Sequence, residues 1–177
     1  DITALLVLEH QCKIHTMLVE SKMQYQRAVH LENALKKMGD FDEENSSSMR
    51  VAKRSTEDLV EGLLFCNEAK IEGTGIEGDK EFEEAFTAKA KLTKSGKHLR
   101  KFRLYGRLFK YRCSYMIHSE AFLALPEVIK KLTFQRLHEI MTAEVALEGY
   151  EHLKTKEKAT ILEILQETTA MNDYLKK

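Results

Sequence analysis

Several features that would assign a chain to a specialised class are absent from this sequence. Its 177 residues include no tryptophan, a single proline at Pro126 and eight thinly spread glycines, so long uninterrupted helices can form. No apolar run is long enough to span a bilayer, and no secretory signal is present. Lys plus Arg and Asp plus Glu each number 28, which gives a formal net charge of zero. We therefore expect no nucleic-acid partner and no membrane span in this segment.

The cysteines and histidines do not follow the spacings of metal or disulfide sites. Cys12, Cys66 and Cys113 are odd in number and far apart, which argues against a disulfide framework and favours buried thiols or a reducing compartment. The patterns CxxC, ExxH, HExxH and HxxxH are all missing. We therefore predict no metal site.

The overall composition is that of one soluble, helix-rich domain. Apolar residues make up 43% and charged residues 32% of the chain, and 177 residues are enough to bury a core. The chain begins at Asp1, without methionine, and continues directly into an apolar run. We expect a single helical domain over residues 1–177, formed as the C-terminal part of a longer or processed chain.

The first 38 residues predict one long helix. They contain neither glycine nor proline, they end with lysines before Gly39, and Asp1 or Thr3 can cap their start. At 1.5 Å per residue such a helix is roughly 57 Å long. Two apolar stripes recur at three- and four-residue steps: Leu5, Leu8, Cys12, His15, Val19 on one, and Ile14, Leu18, Tyr25, Val29, Leu35 on the other.

Shorter helices are predicted after a polar loop at 41–48. A second helix is expected from one of the serines at 46–48 to about Glu72, and a short one from Asp79. The glycine-rich stretch "GTGIEGD" is interpreted as a turn and not as a phosphate-binding loop. Later helices are expected from about Phe102 to Leu125, from Pro126 to about Met141, and after a Thr155 cap. No strand pattern occurs. We predict an all-α fold, a helical bundle organised around the long N-terminal helix.

Two chemistry-bearing stretches have ordinary structural explanations. The basic segment 98–112 follows the acidic segment 77–84, and we favour an internal ion-pair surface over a nucleic-acid stripe. Cys113 in "YRCSY" lies five residues from His118, which places the two on different faces of a helix, so a buried thiol is favoured over a nucleophile. Ser114 and Ser119 lack the G-x-S-x-G turn of a serine hydrolase.

The stretch "LVLEHQCKIH" supports two interpretations. In the first, Glu9 pairs with Lys13 along the helix surface and the histidine rings pack their apolar bodies on neighbours. In the second, His10 or His15 is an axial ligand of a haem, since a neutral imidazole suits iron. His30 is too far along the helix to share an iron with His15. No CxxCH is present, so any haem c would be attached outside this segment.

Four stretches together resemble a known group of proteins: "DITALLVLEHQCKIH", "LLFCNEA", "RLFKYRCSYMIHSEAFLALP" and "ILEILQET". They are similar, in the same order and over nearly the whole chain, to the C-terminal helical region of uncharacterised secreted bacterial proteins. In those proteins an upstream segment carries a haem-binding CxxCH. The resemblance implies a periplasmic or exported protein whose missing upstream part bears haem. The cysteine count alone would leave a cytoplasmic location open.

The resemblance extends to particular residues and fails at others. The positions that match are Glu9, His10, Gln11, His15, His30, Glu68, Arg107, Tyr115, Ser119 and Glu120. The sequence departs from the group at Arg112, where proline is usual, at His118, where an aromatic residue is usual, and at His138. It also lacks a proline after Ala69. The resemblance thus implies His10 and His15 as candidate haem ligands, with Glu9 and Tyr115 beside the cofactor.

These observations leave three functional hypotheses. In the first, the bundle covers and ligates a haem of a cytochrome segment or subunit for electron transfer. In the second, it is a non-catalytic scaffold that holds a multi-subunit cytochrome assembly together. The third, an independent cytosolic enzyme, has no motif behind it.

Overall fold

The computed structural model describes residues 1–39 and 46–176, so most of the loop predicted at 41–48 lies outside the described residues. Within these ranges the chain forms helices and no strand, which confirms the predicted all-α bundle. The α-helices are α1 (Ile2–Met38), α2 (Ser47–Leu63), α3 (Lys80–Ala88), α4 (Glu120–Leu123), α5 (Glu127–Thr142), α6 (Thr155–Thr168) and α7 (Met171–Leu175). A 3₁₀ helix, Tyr115–His118, precedes α4.

The ends of α1 are set by the predicted capping residues. The Asp1 carboxylate accepts hydrogen bonds from the backbone N–H groups of Thr3 and Ala4, at 3.1 and 3.3 Å. Gly39 adopts a left-handed conformation with φ of 79°, and its N–H donates to carbonyls of the last turn. The long first helix is therefore confirmed to within a residue.

The two apolar stripes of α1 have different environments. The inner face buries Ile14 and Leu18 of the second stripe, and the same face also buries Thr3, Val7, His10, Ser21 and Glu32. The first stripe faces outward: Leu5 is 64% exposed and Leu8 54% exposed. Cys12, His15 and Val19 are exposed with them. The outward row continues to Met23 and is named here the outer stripe of α1.

α2 is the element that covers the inner face of α1, and α5 packs on the other side of α2. Its buried side chains include Ala52, Leu59, Val60 and Leu63. Gly62 allows α2 to approach α1 closely, because a Cβ atom at this position would lie only 2.8 Å from Sδ of Met17. α2 ends at Leu63, about nine residues before the predicted end, because the chain turns at Phe65 with φ of 56°.

The helix predicted from Phe102 to Leu125 is wrong. Its first half is not helical, and its second half is divided into the 3₁₀ helix Tyr115–His118 and the short α4, with Ser119 extended between them. Residues 102–114 form a turn in which Leu104 and Gly106 have positive φ and Phe102 pairs with Phe109 as an isolated antiparallel bridge. The stacked rings of Phe102 and Phe109, 5.5 Å apart, pack with Phe86 of α3. Aromatic residues seven apart suit either a helix or this turn, and packing in the core decides in favour of the turn.

The C-terminal helices match the prediction more closely. α5 begins directly after Pro126 and ends at Thr142. α6 begins at Thr155, but Lys154 occupies the capping position without a side-chain hydrogen bond, so the predicted Thr155 cap is wrong. Among the described residues, no helix combines the length and apolar character needed to cross a bilayer.

Candidate functional site

His10 lies on the inner face of α1 and is 6% exposed. Its ring stacks on that of Phe65, with centroids 4.5 Å apart and planes inclined by 11°. The rings of Phe109 and Tyr115 each lie 5.9 Å from His10. Because Phe65 comes from the turn after α2 and Tyr115 from the 3₁₀ helix, His10 is the point at which three separate chain segments meet.

A hydrogen bond of 2.7 Å joins Nε2 of His10 to Oγ of Ser114. Ser114 Oγ already accepts from the Met116 N–H, and its hydroxyl makes no other bond to a described acceptor. We therefore infer that Ser114 donates to Nε2, which places the imidazole proton on Nδ1. Burial, helped by nearby Lys13, lowers the His10 pKa to about 4, so the ring is neutral at pH 7.

A cavity of about 330 Å³ lies beside His10, between α1, the end of α2 and the chain that follows α2. Apolar side chains form part of its wall: Leu6, Met17, Phe65, Ile71 and Leu108. Four carboxylates and one ammonium group also line it: Glu9, Asp58, Glu61, Glu68 and Lys13. Among these groups Lys13 is the single cation, so the cavity has an excess of negative charge.

Glu68 and Cys66 are the titratable groups of the cavity with altered proton affinity. Burial raises the Glu68 pKa, while a hydrogen bond from the Leu108 N–H and the nearby Arg107 partly oppose it. Burial, with the carboxylates of Glu61 and Glu151, raises the Cys66 pKa to about 11. Cys66 is therefore a thiol at neutral pH and a poor nucleophile.

The structure separates the four residues proposed as cofactor contacts into two groups. Glu9 and His10 line the cavity. Tyr115 lies behind His10. Burial raises the Tyr115 pKa to about 12, and the Arg100 guanidinium, 4.6 Å from the ring centroid, limits the increase. His15 belongs to the exposed outer stripe of α1. Glu9 and Lys13, which the spacing could have paired, form no ion pair with each other in the structure.

The two candidate ligands differ in how they could accommodate a haem. Nε2 of His10 is bonded to Ser114, and the stacked Phe65 ring leaves no space for a macrocycle between them. Ligation through Nε2 would need both contacts to break. His15 is exposed on an apolar helix face, so an external haem-bearing segment could reach its ring. Of the two, His15 is the histidine that fits an external group without rearrangement.

Cys113, Ser114 and His118 have structural roles. Cys113 is fully buried and burial raises its pKa to about 12, which agrees with the buried-thiol interpretation. Ser114 pairs with His10 but is itself 0% exposed, so no substrate reaches its oxygen. His118 bonds Oγ1 of Thr168 through Nε2 at 2.9 Å, and burial lowers its pKa to about 4. In the part of the chain that the structure describes, no three His, Cys, Asp or Glu side chains are grouped as a metal site.

The basic segment forms ion pairs, but with a different partner from the predicted one. Arg112 donates to Glu157 of α6 through Nη2 at 2.7 Å and through its backbone N–H at 2.9 Å. Arg107 lies 3.2 Å from the same carboxylate. Hydrogen bonds from Arg112 and the charges of both arginines outweigh burial and lower the Glu157 pKa. The acidic segment 77–84 is not the partner of these two arginines.

The cavity residues that were not identified from the sequence include Asp58, Glu61 and Phe65. Asp58 and Glu61 are three residues apart on α2 and so share a helix face, which is a local signal. That this face lies beside Glu9 depends on the packing of α2 against α1. The chain matches no protein-family profile, no curated protein and no solved structure.

Proposed function

We propose that this chain is the helical module of a periplasmic or exported c-type haem redox protein, and that a haem-bearing segment or subunit docks on the outer stripe of α1. The observation that carries the proposal is the exposure of His15 within that apolar stripe. In this arrangement the chain contributes a ligand and an apolar cover, and the haem supplies one-electron transfer.

The outer stripe has the pattern that helix partners use. Single exposed apolar residues are ordinary on a protein surface. Here, however, Leu5, Leu8 and Val19 are 64%, 54% and 39% exposed and recur at three- and four-residue steps. Such spacing presents a continuous apolar row to a neighbouring helix. A partner that covered this row would also cover Cys12 and His15.

The location of His15 supports it as the ligand in preference to His10. Imidazole is the usual nitrogen ligand of c-type and related haems, and it must be neutral and accessible to bind iron. His15 is accessible, whereas Nε2 of His10 is bonded to Ser114. In the secreted proteins that this sequence resembles, the haem is bound by an upstream segment with CxxCH, and we propose that such a segment provides the haem here.

The test is an optical spectrum and intact mass of the protein isolated from its own source. A Soret band, with a mass greater than that of this chain, would support the proposal. In that protein His15→Ala should alter the haem spectrum and leave the helical circular dichroism unchanged, whereas His30→Ala, an exposed histidine on the same helix, should alter neither. A colourless native protein would reject the haem function.

A non-catalytic scaffold in a cytochrome assembly is the second candidate, and the apolar residues of the outer stripe favour it because they would serve a partner that uses no histidine ligand. The exposed cations of the basic segment, Lys101, Arg103 and Lys110, would add an electrostatic contact. This candidate expects a native complex whose own chain holds no haem. Leu8→Lys should release the chain from that complex, and release should become easier as salt rises. A complex indifferent to both changes would contradict it.

A further inference from the structure

We propose that the cavity beside His10 binds a small organic amine that carries an oxygen acceptor next to its ammonium group. The site is distinct from the outer stripe of α1, because its lining residues come from the other side of the helix. It is independent of the haem proposal.

The size and walls of the cavity suit a compact ligand with an apolar body. Its volume of about 330 Å³ falls within the range of small-molecule sites. Leu6, Met17 and Ile71 provide aliphatic surface. The Phe65 ring, which stacks on His10 and also lines the cavity, adds an aromatic surface that a cation can contact.

The charges around the cavity favour a cation. Glu9, Asp58 and Glu61 line it, and within the described chain none of the three forms an ion pair. Glu68 adds a fourth carboxylate, half-buried and held by the Leu108 N–H at 3.1 Å. Lys13 offsets one of these charges. Like charges held close together repel, so an ammonium ion placed among them relieves the repulsion.

His10 supplies a directed hydrogen-bond donor. Its Nδ1 makes no hydrogen bond to a described residue, yet it is not among the fully buried polar atoms that lack a partner. His10 is 6% exposed and lines the cavity, so we infer that Nδ1 faces it. With Ser114 as the donor to Nε2, the ring proton lies on Nδ1, and we infer that this atom donates toward the ligand. A buried polar atom left for a ligand is a specific recognition element.

These three features together define the ligand class. The carboxylates bind an ammonium group, Nδ1 of His10 donates to a nearby carbonyl or hydroxyl oxygen, and the aliphatic wall covers a branched side chain. Leucinamide has all three parts and is a suitable probe. Leucine adds a carboxylate that the acidic rim would repel, N-acetyl-leucinamide lacks the cation, and 3-methylbutylamine lacks the oxygen acceptor.

The experiment measures binding of these four compounds at pH 7 by isothermal titration calorimetry, with the site located by amide chemical shifts of Gly62, Phe65 and Cys66. We expect leucinamide to bind, 3-methylbutylamine to bind more weakly, and leucine and N-acetyl-leucinamide to bind at least tenfold more weakly. Binding of leucinamide should also weaken as salt rises, because the rim carboxylates are exposed.

Matched variants test the charge requirement without disturbing the core. Asp58→Asn and Glu61→Gln should each weaken leucinamide binding about two- to fivefold, the range of a single solvent-exposed ion pair. Glu20→Gln removes the same charge from an exposed residue of α1 that does not line the cavity, and should leave the affinity unchanged.

The proposal would be overturned if leucinamide did not bind at millimolar concentration, or if the acetylated compound bound equally well. It would also be overturned if Asp58→Asn and Glu61→Gln changed the leucinamide affinity no more than Glu20→Gln does. Chemical-shift changes confined to residues far from the cavity would also overturn it, because they would show binding elsewhere.

Discussion

His10 and Ser114 are 104 residues apart in the chain and are joined by a buried hydrogen bond of 2.7 Å. The bond fastens the N-terminal half of α1 to the start of the 3₁₀ helix. Its serine oxygen also caps that short helix by accepting from the Met116 N–H. One hydroxyl thus holds both the orientation of the His10 ring and the path of the chain that packs behind it.

Removal of this hydroxyl should destabilise the fold. We expect Ser114→Ala to lower the free energy of unfolding by about 1–3 kcal/mol, because it leaves a buried imidazole nitrogen without a partner. Urea unfolding monitored by circular dichroism measures the change. Ser95→Ala removes a solvent-exposed hydroxyl that bonds Glu163 and Thr93, and should cost less than Ser114→Ala because water can replace those bonds. Equal losses in the two variants would contradict the role given to Ser114.

Stability should fall as the pH drops from about 6.5 to 4. The pKa values of His10 and His118 are lowered to about 4 in the folded protein, from 6.5. Between these values the unfolded chain binds protons that the folded chain does not, so acid favours unfolding. His118→Gln should make the decline shallower, by up to about 1.4 kcal/mol per pH unit. Thr16→Ala on α1 should leave the slope unchanged, and an unaltered slope in His118→Gln would contradict the assignment.

The carboxylate of Glu32 should support the fold down to lower pH. Burial acts to raise its pKa, but hydrogen bonds from the Ser48 N–H and from the hydroxyls of Ser48, Ser46 and Ser47 outweigh it and hold the pKa at about 2. The stabilisation is present above the ordinary value of 4.5 and is lost as pH falls toward 2.

Glu32→Gln should therefore lower the free energy of unfolding at pH 7 by about 1–3 kcal/mol, since the neutral amide is a weaker acceptor for a backbone N–H at a helix start. The loss should shrink as the pH approaches 2. Urea unfolding at pH 7 and pH 3 gives the comparison, and a loss that is the same at both values would count against this account.

Glu157 should be worth more to stability than an exposed acid of α6. Glu157→Gln weakens its bonds to Arg107 and Arg112, which are largely shielded from solvent, and should cost about 2–3 kcal/mol. Glu163→Gln breaks the solvent-exposed pair with Lys97 and should cost clearly less than Glu157→Gln does. Thermal unfolding of both variants decides the order, and the reverse order would refute it.

The two faces of α1 should respond differently to a charge. Leu18→Lys inserts an ammonium group at a position that is 1% exposed, and we expect it to prevent folding. Leu8→Lys, at a position that is 54% exposed, should leave the free energy of unfolding within about 0.5 kcal/mol. A large loss in Leu8→Lys would show that the outer stripe is part of the core.

The sequence predicts the ends of α1 well because capping is local. Asp1 and Gly39 act within one turn of the residues they cap. Which stripe of α1 is buried could not be predicted, because both recur at helical spacing and the choice depends on α2. The turn at Leu104 was missed for a similar reason, since its left-handed backbone is held by ring packing between Phe102 and Phe109.

Only part of the candidate site could be predicted from the sequence, because the rest depends on packing between segments that are distant in the chain. Glu9 and His10 are adjacent in sequence, so both could be recognised as candidate site residues from the sequence alone. Asp58, Glu61 and Phe65 are about 50 residues further on and join them only through the packing of α2 on α1. His15, five residues from His10, faces the opposite way because five helical steps turn a side chain by about 140°.

The hydrogen bond between His10 and Ser114 also bears on the order of events during synthesis. α1 and α2 are consecutive and can pack together once residue 63 has left the ribosome. More than 50 further residues must then be synthesised before Ser114 can bond to His10. The ion pair between Arg112 and Glu157 forms later still. Until then Phe65 and the aromatic rings that follow it have no closed core, so the nascent chain should depend on chaperones over this interval.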